Sequence, residues 1–218
     1  MSALIKVAVI DDDEIIRQAL ARLLKSAGIE AATFSSAREF LDDSICQQVD
    51  CAVTDMRMPG FDGLKLQEEL NRTIPHLSVV FMTGYGDIPM TVKAIREGAV
   101  DFLEKPVEDE ALLAAVRRAA ERSRDLRASY GELNDLKRRY KLLTPRERQV
   151  FVLVSTGFPN KQIGFDLGIT EKTIKVHRAR VMEKMEAESL ADLVRMAQRL
   201  GVDSKGRTPM KATRGDPP

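Results

Sequence analysis

Five short strand-like segments, each followed by a stretch with a helical pattern, fill the first half of this 218-residue chain, and few folds accept that alternation. Lys6 to Ile10, Glu30 to Phe34, Cys51 to Asp55, Ser78 to Thr83 and Asp101 to Glu104 read as strands. Ile15 to Ala27 carries Ile16, Ala19, Leu20, Leu23, Leu24 and Ala27 at helical spacing and stops at Gly28. Ala37 to Asp43, Leu64 to Thr73 and Ile88 to Glu97 are the next helices, and Pro106 is expected to open a fifth. Strand and helix in alternation predict a doubly wound α/β domain around five parallel strands.

The polar residues at the strand ends form a set. Asp11 and Asp12 follow the first strand, Asp55 ends the third, Thr83 ends the fourth and Lys105 follows the fifth. In a parallel sheet these ends share one edge, which is where open α/β sheets place ligands. Three carboxylates brought together repel one another and favour a divalent cation, and oxygen donors suit Mg2+. A carboxylate such as Asp55 can accept a phosphoryl group as an acyl phosphate, with Lys105 and Thr83 holding the product anion. Helix capping would account for Asp11 or Asp12 taken alone, but not for Asp55 or Lys105. Asp13 and Asp62 read as capping or solvated residues, and His76, beside Pro75, as a loop residue without a partner.

The pattern Asp11-Asp12, Asp55-x-x-Met58-Pro59-x-x-x-Gly63, Thr83-Gly84 and Lys105-Pro106 resembles the receiver domain of bacterial two-component response regulators, whose sheet is flavodoxin-like. The resemblance implies that Asp55 is the phospho-acceptor and that Asp11 and Asp12 form the acid pair. It implies that Asp12, Asp55 and the backbone carbonyl of Arg57 hold Mg2+. Thr83 and Phe102 match the switch pair, whose movement would change the face made by the helix at Ile88 to Glu97 and the fifth strand.

Charge divides the chain. Residues 1–121 carry 13 Lys and Arg against 21 Asp and Glu, whereas residues 122–218 carry 21 against 12, so the net charge of +1 hides an acidic half and a basic half. A basic half suits a polyanion. The two cysteines, Cys46 and Cys51, form no CxxC motif and are expected as buried free thiols. The start of the chain lacks a basic and then apolar leader, and no run approaches 18 apolar residues, so a cytoplasmic protein without membrane contact is expected.

From Glu108 the helical pattern continues through Leu112, Leu113, Val116, Ala119 and Ala120. It extends over 122–141 with Leu126, Tyr130, Leu133, Leu136 and Tyr140 near heptad spacing. One long helix, or two nearly collinear ones with Gly131 as the weak point, is expected between a domain at 1–121 and a second at 142–203. Its seam suits a lever or a dimer-forming segment, and equally an amphipathic helix folded on its own chain. Residues 204–218 read as a disordered tail.

In the second half, Thr144, Pro145 and Glu147 form a capping box that opens a helix. Asn160 to Leu167 is a short helix closed by Gly168, and Thr170 caps a basic helix from Glu171 to Met185. That pair is a helix-turn-helix whose second member can enter a major groove. A further helix is expected from Ser189 to Leu200, giving an all-α unit of four helices. Leu143-Thr144-x-Arg146-Glu147-x-x-Val150, Asn160-Lys161-x-Ile163 and Thr173-Ile174-Lys175-x-His177 resemble the output domain of LuxR, NarL and FixJ proteins. The resemblance implies base-facing positions at Lys175 and Val176 and further DNA contacts from Lys161, Thr173, Arg178 and Arg180, while Ala179 stands where some relatives carry a base-facing lysine. It also implies a dimer contact from the last helix. Glu147 is expected to pair with a cation inside the domain, and His177 to pack or meet phosphate.

Both resemblances together imply a FixJ-type regulator, and the long helix resembles that of regulators of aromatic (styrene-type) catabolism. The implied function is phosphorylation of Asp55 by a sensor histidine kinase, followed by dimerisation, binding to paired promoter sites in double-stranded DNA and work with RNA polymerase, as an activator. Such a chain catalyses only its own phosphorylation and dephosphorylation. Two competitors are a magnesium-dependent phosphohydrolase using Asp55, and a constitutive DNA-binding protein with a degenerate receiver.

Overall fold

The structure is a computed structural model and describes residues 4–84 and 98–202. The helix expected at Ile88 to Glu97 and the tail at 204–218 lie outside the described residues. The chain divides into two units, residues 1–130 and 131–218.

In the first unit, β1 (Lys6–Ile10), β2 (Glu30–Phe34), β3 (Cys51–Asp55), β4 (Ser78–Thr83) and β5 (Asp101–Glu104) form one sheet in the order β2-β1-β3-β4-β5. Every pair is parallel. Side chains alternate across the sheet, so each strand feeds two cores. Ala8, Ile10, Ala52, Val79 and Phe81 join Phe40 and Leu66 on one face, while Val7, Val9, Cys51, Val53, Val80 and Met82 join Leu24 and Leu112 on the other. The first core takes α2 (Ala37–Asp42) and α3 (Gly63–Thr73), and the second takes α1 (Glu14–Ser26) and the start of α4 (Asp109–Lys141). Burial on both faces explains why β1, β3 and β4 read as continuous apolar runs, whereas the edge strands β2 and β5 keep exposed polar positions.

Caps place the helix starts. Asp13 accepts hydrogen bonds from the backbone N–H groups of Ile15 and Ile16, and Asp62 accepts one from Lys65. One start differs from expectation: Pro106 does not open a helix, since α4 begins at Asp109. Asp109 and Glu110 supply the acidic first turn that a helix N-terminus favours.

The helix α4 is continuous through Gly131. Leu112, Ala115, Val116, Ala119 and Ala120 are buried in the first unit, where the Ser123 hydroxyl accepts from the Ser78 N–H at 2.8 Å. Arg124 pairs with Asp50 at 3.1 Å, and Arg127 donates to the Val49 carbonyl at 2.9 Å.

The second unit begins with the end of α4. Leu136 is buried there, and Tyr140 meets Phe151 edge-on at 5.3 Å, so this part of the seam packs against its own chain. α5 (Pro145–Ser155), α6 (Asn160–Leu167), α7 (Glu171–Met185) and α8 (Leu190–Leu200) complete the unit around Val150, Phe151, Ile163, Ile174, Val181, Met185 and Leu193. Between α6 and α7, Gly168 adopts φ 66°, and a Cβ on Gly164 would lie 2.8 Å from the Ile169 carbonyl oxygen. The missing side chain lets the turn close on the helix. Among the described residues no helix is long and apolar enough to cross a membrane.

Candidate functional site

At the carboxyl edge of the sheet, β1 lies between β2 and β3, so the chain order reverses there and opens a crevice. Asp11, Asp12 and Asp55 meet in it, each offering a carboxylate oxygen within 4.8 Å of the others. Asp11 is buried, Asp55 half-buried and Asp12 exposed. The Lys105 ammonium reaches in from the end of β5 and stands 2.9 Å from Asp11 Oδ2 and 3.2 Å from Asp55 Oδ2.

Each side chain is held by local structure. The second oxygen of Asp11 accepts from the Asp13 N–H at 2.9 Å, and the Arg17 guanidinium donates to the Asp11 carbonyl at 2.7 Å. Behind Asp55, a Cβ on Gly63 would lie 2.7 Å from the Asp55 carbonyl oxygen and 2.8 Å from the Phe81 ring. Gly63 is the first residue of α3, one position before the helix start expected at Leu64, and its missing side chain lets that helix sit against β3.

Burial sets the electrostatics. It pushes the Asp55 carboxyl above the ordinary aspartate range, with the Asp11 charge adding to it, while Lys105 and the Arg57 backbone N–H work the other way. For Lys105 burial opposes the charge, but Asp11 and Asp55 outweigh it and hold the ammonium above the ordinary lysine value. A half-buried carboxylate facing an ammonium, with a second carboxylate at the rim, can accept an electrophilic phosphoryl group. The three carboxylates also offer the hard oxygen donors that fit Mg2+.

The remaining residues of the expected set lie around this centre. Thr83 ends β4, where its hydroxyl donates to the Gly84 carbonyl at 3.1 Å. Phe102, half-buried on β5, stacks on Phe81 with ring centroids 5.3 Å apart. Arg57 is exposed in the loop after β3. His76 lies in the turn between α3 and β4, where a loop residue was expected, and is half-buried with its ring 6.4 Å from that of Tyr130.

In the second unit, Lys161 is exposed on α6, and Thr173, Lys175, Val176 and Arg180 are exposed on α7. Arg178 is half-buried and donates to the Asn160 side-chain oxygen at 3.2 Å, which ties α7 to the start of α6. The Thr173 hydroxyl lies 2.9 Å from that of Thr170, the helix cap. Lys175 pairs with Glu171 at 3.4 Å, a partner legible in the four-residue spacing but not singled out from sequence. Glu147 is buried and takes Lys184 as its cation at 2.7 Å, and the half-buried His177 packs with its Nδ1 lacking a hydrogen-bond partner among the described residues.

Residues 7–117 match the response regulator receiver domain, and residues 141–197 match the luxR family of bacterial regulatory proteins. Nodulation protein W of Bradyrhizobium diazoefficiens is 46% identical over 91% of this chain and 87% of its own. The transcriptional regulatory protein FixJ of Azorhizobium caulinodans is 46% identical over 90% of this chain and 93% of its own. Among solved structures, the response regulator StyR is 43% identical, covering 90% of this chain and all of its own, with a TM-score of 0.76.

Proposed function

Because the chain is a response regulator that joins a receiver domain to a luxR-family DNA-binding domain, we propose that a sensor histidine kinase phosphorylates Asp55 and so controls binding of α7 to promoter DNA. The observation that carries this reading is the Lys105 ammonium between Asp11 and Asp55. An Asp55 oxygen forms the new bond to phosphorus as the bond to the donor imidazole breaks, and Lys105 compensates the charge left on the phosphoryl oxygens. Mg2+ would be held by Asp12, Asp55 and the Arg57 carbonyl and would neutralise phosphoryl charge when bound. Thr83 would turn its hydroxyl to the new anion, and Phe102 would follow it inward.

The output is a homodimer on paired half-sites, since linking two weak sites raises affinity through effective concentration. It acts in the cytoplasm as an activator, with RNA polymerase as its further partner. The only chemistry proposed is phosphoryl transfer to and hydrolysis from Asp55; a phosphohydrolase would need a second acid, and Asp55-Met56-Arg57 lacks one at the next-but-one position. The test is intact mass and sedimentation with Mg2+ and a small acyl phosphate. One added phosphoryl mass, a shift to dimer and tighter promoter binding, all lost in Asp55→Asn and slowed in Lys105→Met, would support the reading. Donor-dependent DNA binding that persists in Asp55→Asn, or turnover of a free phosphomonoester, would overturn it.

A further inference from the structure

Glu171 opens α7 and places an anion on the leading turn of the helix that presents Lys175 and Val176. A carboxylate there is repelled by DNA phosphates, which makes its position costly for a merely basic helix. The Thr170 hydroxyl already accepts from the Thr173 N–H, so the helix has its cap without Glu171. The pair with Lys175 at 3.4 Å is exposed, with side chains 50% and 66% accessible, and such pairs add little to stability. Glu171 and Lys175 therefore stand on one solvent-facing ridge, where the amino-terminal residues of a recognition helix meet base edges.

We propose that Glu171 is a specificity-determining residue that accepts a hydrogen bond from the exocyclic amine of a cytosine, while Lys175 donates to the O6 and N7 acceptors of a neighbouring guanine. Carboxylates suit the first contact and lysine the second. On other sequences the carboxylate keeps the ammonium to itself, so the pair reads adjacent G·C base pairs as a unit. The proposal rests on α7 being the helix that enters the groove.

The test uses the full-length protein, phosphorylated with a small acyl phosphate and selected on a pool of duplexes with randomised sequence. The wild-type protein is expected to enrich cytosine at one position by about tenfold, and Glu171→Ala to bring that position near parity. Glu171→Gln should move the preference towards adenine, which glutamine reads. Lys175→Ala, run in parallel, should lose the neighbouring guanine. An unchanged cytosine preference in Glu171→Ala, or affinity altered equally on every sequence, would overturn the role of Glu171 while Lys175→Ala still shifts the selection. If no sequence is enriched, or Lys175→Ala changes none, α7 is not the reading helix and the proposal falls with that premise.

Discussion

The Lys184 ammonium lies 2.7 Å from the Glu147 carboxylate, and only 2% of Glu147 is accessible. Burial alone would raise the Glu147 carboxyl, yet Lys184 and the Thr144 N–H, 2.8 Å away, hold it below the ordinary glutamate value. Lys184→Ala should therefore leave a buried anion without its cation. Breaking a fully buried pair costs about 3–5 kcal/mol; with Lys184 a third exposed, about 2–3 kcal/mol is expected in urea unfolding. The sign with pH follows from the lowered value: the stabilisation is present above the unfolded carboxyl pKa of 4.5 and is lost as pH falls through the folded one. Lys184→Ala should flatten that acid limb, and an unchanged limb would count against the pair.

Gly63 carries a steric argument. An alanine Cβ would lie 2.7 Å from the Asp55 carbonyl oxygen, 2.8 Å from the Phe81 ring and 3.2 Å from the Met56 Cα. Backbone and a packed ring cannot swing aside, so α3 must move off β3. Gly63→Ala should cost about 1–3 kcal/mol of receiver stability. Because the nearest atom belongs to Asp55, phosphoryl labelling measured at a temperature where the variant remains folded should fall as well.

The parts legible in sequence are those written locally. The inner strands β1, β3 and β4 are buried on both faces and read as apolar runs, and Asp62, Thr144, Thr170 and Ser189 announce their helices by capping. The convergence of Asp11, Asp12, Asp55 and Lys105 followed from placing them at the carboxyl ends of parallel strands. What escaped were contacts between distant, individually ordinary residues. Ser123 with Ser78, and Arg124 with Asp50, are separated by 45 and 74 positions, and nothing in an amphipathic helix distinguishes a serine or arginine that faces the domain from one in water. Pro106 misled because a proline suits both a first helical turn and the turn before a helix.

Cys51 has no accessible surface, and its Sγ lies 3.8 Å from the Val116 carbonyl oxygen. Burial, with the Asp50 charge, pushes the thiol from 9.0 up to about 12. The thiolate is the reactive form, so at pH 8 labelling of the folded protein should be slower than that of the unfolded chain by about a thousandfold or more. Timed alkylation read by intact mass should show Cys51 modified only as fast as the receiver unfolds. Rapid labelling of Cys51 in folded protein would show that α4 opens from the sheet.

His76 gives the receiver a pH dependence of its own. Burial, and then the Arg127 charge, hold its imidazole below the ordinary value of 6.5. The folded state therefore binds a proton less readily than the unfolded chain, which protonates first as pH falls below 6.5. Protons taken up by the unfolded state lower stability, so the receiver should weaken between 6.5 and the lower folded value, and stay level below that as far as this group is concerned. His76→Gln removes the titration and keeps a polar side chain beside Tyr130, whose ring the imidazole faces at 6.4 Å. Urea unfolding at pH 7.5 and 5.5 should show a loss of stability in the wild type that is smaller in the variant. An equal loss in both would assign the effect to carboxylates instead and leave His76 as packing alone.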